Sequence, residues 1–143
     1  MAGAIAVAIA LILAACDFSA LMPKEQVDFA KGVVMLVQNR DAEGLEAVAE
    51  PALWQRLTPE VRERMARVFP REPVGSVSVA SYNSSFDSAT SNVTIVLVYR
   101  YARQDVQAAV SFRPAEHGFV LTAIDVLPGD APPQRTDDSS RDS

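Results

Sequence analysis

The sequence predicts an α+β domain in which three N-terminal helices pack on a curved four-stranded antiparallel sheet. Three observations predict it. Up to residue 68, apolar residues recur every three or four positions; after Pro70 they recur every second position; and capping or turn residues stand where each pattern breaks. With 143 residues, 49% of them hydrophobic and 22% charged, the chain suits one domain that buries a core without disulfides or metals.

The first helix is expected to start near Pro23, because proline is favoured at the first helical position. Val27, Ala30, Val34 and Val37 form its apolar stripe, and Phe29, Val33 and Leu36 widen it. Asn39-Arg40-Asp41 ends this helix, and Asp41 can cap the next. In the second helix Leu45, Val48 and Ala49 share a face; Pro51 interrupts it, and Leu53, Trp54 and Leu57 continue the apolar surface. Thr58-Pro59-Glu60 starts the third helix, with Val61, Met65 and Val68 inward. Glu60 with Arg64, and Glu63 with Arg67, are spaced for surface ion pairs. The arginines at 62, 64 and 67 therefore read as a solvated face rather than an anion site.

Four strands are expected near 74–82, 92–101, 106–113 and 119–127. Ser81 to Ser88 reads as a polar turn between the first two. If Tyr101 faces Val106, then Tyr99 faces Ala108, Leu97 faces Val110 and Ile95 faces Phe112, all apolar or aromatic pairs. Continued into the last strand, this register sets Val120 opposite Phe112, Ile124 opposite Ala108 and Val126 opposite Val106. One face then covers the helices, while Arg100, Gln107 and Asp125 form a polar row on the other.

The N-terminus carries an address. Residues 2–15 hold no charged side chain, and the apolar run of about a dozen residues is shorter than the 20 or so needed to span a bilayer. It fits the apolar core of a signal peptide. The run closes with Leu13-Ala14-Ala15-Cys16, which resembles the lipobox of bacterial lipoproteins. That resemblance implies cleavage before Cys16, diacylglycerol on its thiol and a fatty acyl group, such as palmitate, on the new amine. One buried chain anchors marginally, and several hold firmly. The leader departs from the pattern in having no Lys or Arg after Met1. Asp17 resembles the inner-membrane retention signal of enteric lipoproteins. The expected organisation is a signal peptide at 1–15, a lipidated linker at 16–23, a domain at 24–127 and a disordered acidic tail at 128–143. The expected location is the bacterial cell envelope, lipid-anchored and facing the periplasm, with the inner membrane favoured.

A net charge of −5 argues against nucleic acid as a partner, since phosphate contact needs a basic face. One Cys and one His cannot build a usual zinc site, and no cofactor or metal is expected. No nucleophile elbow or phosphate loop is present. Asp125 is a tempting general base, but the register points it away from Tyr99 and Tyr101. His117 lies in Pro114-Ala115-Glu116-His117-Gly118, which reads as a hairpin loop.

Helices followed by four strands, with Asn39-Arg40-Asp41-Ala42-Glu43-Gly44-Leu45 between the first helices and Gly118-Phe119-Val120-Leu121-Thr122-Ala123-Ile124 in the final hairpin, resemble the nuclear-transport-factor-two-like superfamily and its cystatin-like cone. The resemblance covers residues 24–127 and rests mainly on element order. It implies a cone with a pocket, sheets that often pair face to face in a homodimer, and functions from isomerases and dehydratases to non-catalytic binding modules. Enzymes of this kind use an acid and a tyrosine inside the cone, and no acid here is clearly placed there. Three functions follow in order: a membrane-anchored binding or assembly module meeting an envelope protein; a binder of a small apolar ligand in a pocket lined by Tyr99, Tyr101 and Phe112; and an isomerase- or dehydratase-like enzyme.

Overall fold

The computed structural model describes residues 22–86 and 91–129. The signal peptide, Cys16 and the tail beyond Gly129 lie outside these residues. The described chain is α+β, with four helices and a four-stranded antiparallel sheet: α1 (Lys24–Gln38), α2 (Ala42–Val48), α3 (Pro51–Arg56), α4 (Pro59–Val68), β1 (Ser76–Phe86), β2 (Ser91–Arg100), β3 (Asp105–Ala115) and β4 (Gly118–Pro128).

α1 buries the stripe read from its spacing, Val27, Ala30, Val34 and Val37, together with Val33. Its end is a Schellman turn: the Arg40 amide donates to the Val37 carbonyl and the Asp41 amide to the Leu36 carbonyl. Such a turn needs a left-handed residue at its corner, and Arg40 takes it, with φ 56°. The Asp41 side chain then accepts from the Gly44 amide at 2.9 Å, capping α2. Thr58 caps α4 in the same way, accepting from the Val61 amide at 3.3 Å.

The expected second helix is two. Proline disfavours helical backbone in the residue before it and has no N–H to continue a helix. Ala49 and Glu50 accordingly turn extended, and α3 begins afresh with Pro51 in its first turn. This extended pair does structural work: Ala49 forms a parallel bridge with Leu121, and the Glu50 amide donates to the Leu121 carbonyl at 3.0 Å. The helical layer is thereby tied to the β4 edge.

The sheet is a meander in the order β1-β2-β3-β4. The segment expected as a polar turn from Ser81 is strand through Phe86, paired with β2 from Val96 to Ser91. Here the ladder overrides the turn preference of Ser and Asn, because alternate positions still serve the core. Tyr82 points inward, where its hydroxyl donates to Gln26 Oε1 at 2.8 Å.

The β2–β3 register also differs from the expectation, by two residues. Tyr99 faces Val106, Leu97 faces Ala108, Ile95 faces Val110 and Val93 faces Phe112. Tyr101 leaves the ladder for the turn, where its amide donates to the Gln104 carbonyl at 2.9 Å. A slip of two keeps every side chain on its face, so the inward set is unchanged. In β4 an extra residue, Thr122, is bulged between the Ser111–Ala123 and Phe112–Leu121 pairs. It reverses the alternation, so Leu121 rather than Val120 stands opposite Phe112. Val126 and Ile124 face Ala108 and Val110, again two residues from the expected partners.

Arg100, Gln107 and Asp125 consequently do not share a row. Arg100 pairs with Asp105, while the outer rows run Ser78–Val98–Gln107–Leu127, Ser81–Val96–Ala109–Asp125 and Asn83–Thr94–Ser111–Ala123. The inner face joins all four helices in one core containing Val33, Leu45, Leu53, Met65, Ile95, Leu97, Val110, Phe112 and Leu121.

Candidate functional site

The lipobox residues Leu13, Ala14, Ala15 and Cys16, with Asp17, lie outside the described residues. No helix among the described residues is long and apolar enough to cross a membrane.

Tyr99, Tyr101 and Phe112 are all buried, at 6%, 8% and 0% exposure. They do not converge on one cavity. Phe112 pairs with Val93, six residues along β2 from Tyr99, which is about 20 Å of strand. Phe112 is packed by Phe29 and Phe119, with ring centroids at 5.0 and 5.1 Å. At the opposite end Tyr99 meets Phe69 edge-on at 5.6 Å. The Tyr101 hydroxyl accepts from Gln38 Nε2 at 3.3 Å. Burial pushes the Tyr99 hydroxyl pKa up, and neighbouring Tyr101 adds to the shift. Burial raises Tyr101 as well, against the opposing effect of the Gln38 bond. Both tyrosines therefore stay neutral near pH 7; Tyr101 hydrogen-bonds Gln38, and Tyr99 fills space against Phe69.

Asp125 is exposed on the outer face, and His117 is exposed in the β3–β4 turn. Gly118 completes that turn with φ +99°, a conformation suited to glycine. Among the described residues neither Asp125 nor His117 has a side-chain hydrogen bond or ion-pair partner. An acid or base of a catalytic pair needs such a partner or a substrate within hydrogen-bond reach. Among the described residues no group of three or more His, Cys, Asp or Glu could hold a metal ion.

Two other features stand out. The first is an arginine cluster where the C-terminal end of α1 approaches α4. Glu63 accepts from Arg40 Nε at 2.8 Å, from Arg40 Nη2 at 3.0 Å and from Arg67 Nε at 3.1 Å. These three bonds, those from Arg40 first, hold the Glu63 carboxyl at about 2, against an ordinary value of 4.5. Arg71 lines the same open pocket, of about 550 Å³, with Ala66 and Phe69 as apolar wall. The sequence showed the Glu63–Arg67 pair through its spacing of four; Arg40 came from a different element and was missed. The available signal was the helix end Asn39-Arg40-Asp41, which has no glycine where a left-handed corner is common. Of the other arginines, Arg62 lies over the Trp54 ring at 4.9 Å, and Arg64 is exposed.

The second feature is the β1 edge. Among the described residues β1 pairs with β2 alone, so its other side presents unpaired backbone groups. Its eleven residues, SVSVASYNSSF, contain no proline and no charge. Edge strands are commonly guarded by both. Its only irregularity is the bulge at Ala80, between the Val79 and Ser81 pairs.

No family model, no curated protein and no solved structure matches the chain.

Proposed function

We propose that this chain is a lipoprotein of the bacterial cell envelope, held to the membrane by lipid on Cys16 and facing the periplasm, whose domain acts as a non-catalytic binding or assembly module. The lipobox Leu13-Ala14-Ala15-Cys16 after an uncharged leader supports the anchor, and Asp17 favours the inner membrane. The order of helices and strands supports a cone-like domain of the nuclear-transport-factor-two-like kind, a fold used repeatedly for binding.

The observation that carries the module reading is the β1 edge. An open strand of this length without charge or proline is a template for strand addition. The partner is an extended segment of another envelope protein, which pairs with β1 through its backbone and becomes a fifth strand. On the outer face of this edge, Ser81 and Asn83 are exposed, small and uncharged, which leaves room for such a neighbour.

The test is native mass spectrometry of the full-length chain extracted from its own membranes in mild detergent. The expected species is a lipidated chain beginning at Cys16 with a protein bound. Lysines at two exposed positions of β1, Ser81→Lys with Asn83→Lys, should abolish that complex and leave the circular dichroism unchanged. A chain that keeps its leader and carries no lipid would overturn the anchor. A complex indifferent to the two lysines would overturn the edge.

A further inference from the structure

We propose that the pocket between the C-terminal end of α1 and α4 is an oxyanion-binding site, in which Arg40, Arg67 and Arg71 take a carboxylate or phosphate group of a small molecule. The site is separate from the β1 edge and does not depend on the function proposed for it.

The first support is charge. Three guanidiniums and a single carboxylate, Glu63, line one pocket, in a chain whose net charge is −5. Clustered like charges raise the local attraction for an ion of opposite sign. Glu63 offsets one and leaves a surplus of two positive charges. An incoming oxyanion completes the balance.

The second support is how the donors are held. A guanidinium presents five N–H donors in a rigid plane. Glu63 takes two from Arg40 and one from Arg67. Bridged by one carboxylate, the two side chains lose freedom they would otherwise lose on binding a ligand, and their remaining donors stay available. Arg71 makes no ion pair among the described residues. Ala66 and Phe69, both buried in the core, close the floor of the pocket behind these donors.

The third support is Arg40 itself. It occupies the corner of the Schellman turn at φ 56°, and no other non-glycine residue among those described has a positive φ. Glycine takes this conformation without steric penalty; a residue with a Cβ does not. The exposed pair with Glu63 is of a type that contributes little to stability. Stability alone therefore favours glycine at position 40. Arginine there gives up backbone comfort for a guanidinium at the pocket, a balance typical of binding residues.

Titration calorimetry of the full-length chain in neutral detergent at low ionic strength, with inorganic pyrophosphate and with citrate as probes, tests the site. One saturable site is expected for at least one probe. Pyrophosphate alone would indicate a phosphate ligand, and citrate alone a carboxylate ligand. Arg71→Ala and Arg40→Gly should each weaken binding by about tenfold or more, the usual scale for a lost charge-assisted hydrogen bond. Arg40→Gly should melt no lower than the parent chain, which separates lost binding from lost folding. Arg113→Ala, at the Glu50 ion pair away from the pocket, should bind as the parent does. No saturable binding of either probe, or binding unchanged in both pocket variants, would overturn the proposal. Neither result bears on strand addition at β1.

Discussion

At one end of the β2–β3 ladder, Phe112 is fully buried between Phe29 and Phe119, three rings with centroids 5.0 to 5.4 Å apart. At the other end, Tyr99 and Tyr101 meet Phe69 and Gln38, and Gln38 and Phe69 in turn line the arginine pocket. Both ends are aromatic and both bury their rings. The first packs its three rings between α1 and the sheet. The second ends in hydroxyls, an amide and guanidiniums, so its outer boundary is a hydrogen-bonding surface. The rings of the first end are held by carbon contacts alone, whereas the second end also bonds through Gln38 to the pocket rim.

That contrast is measurable. Phe112→Ala should lower the unfolding free energy by about 3–5 kcal/mol in urea titrations, the usual range for emptying a fully buried ring site. Tyr101→Phe should lower it by about 1 kcal/mol or less, since it removes one net hydrogen bond and keeps the ring. Equal losses from the two variants would abolish the distinction between the ends.

The smallest effect lies at Glu63. Its carboxyl should titrate at about 2 by NMR, below the ordinary 4.5, because the Arg40 and Arg67 guanidiniums favour its charged form. A depressed folded-state pKa means that its contribution to stability is complete above about pH 4.5 and is lost as pH falls through about 2. A midpoint near 4.5 would mean that Glu63 does not hold the two arginines together.

Much of the phenylalanine end was legible in the sequence, because it rests on alternation. The alternation places Ile95, Leu97, Ala108, Val110 and Phe112 inward, and all are buried, although their partners lie two residues from those it predicts. An even slip preserves faces, so the core survives an error of register. The bulge at Thr122 does not preserve them, and nothing in Val120-Leu121-Thr122-Ala123 marks which residue will be extra. Pro51 predicts an interruption of one helix; its effect on Ala49 and Glu50 makes two helices and an anchoring bridge. The tyrosine end was the less legible. The pocket joins Arg40, Glu63 and Arg71 from separate stretches of chain, and periodicity within an element carries no information about charges brought together by packing.

The bridge from Ala49 to Leu121 has a consequence in time. Each strand of the meander pairs with its neighbour in the chain, so every ladder closes a short loop, at small entropic cost. The bridge joins the helical segment to the last strand and closes most of the domain at once. A chain emerging N-terminus first releases the apolar faces of all four helices before any of the strands that bury them. During that interval Val27, Val33, Leu45 and Leu53 have only each other, or a chaperone, for company, and the domain is complete only when β4 arrives to meet Ala49.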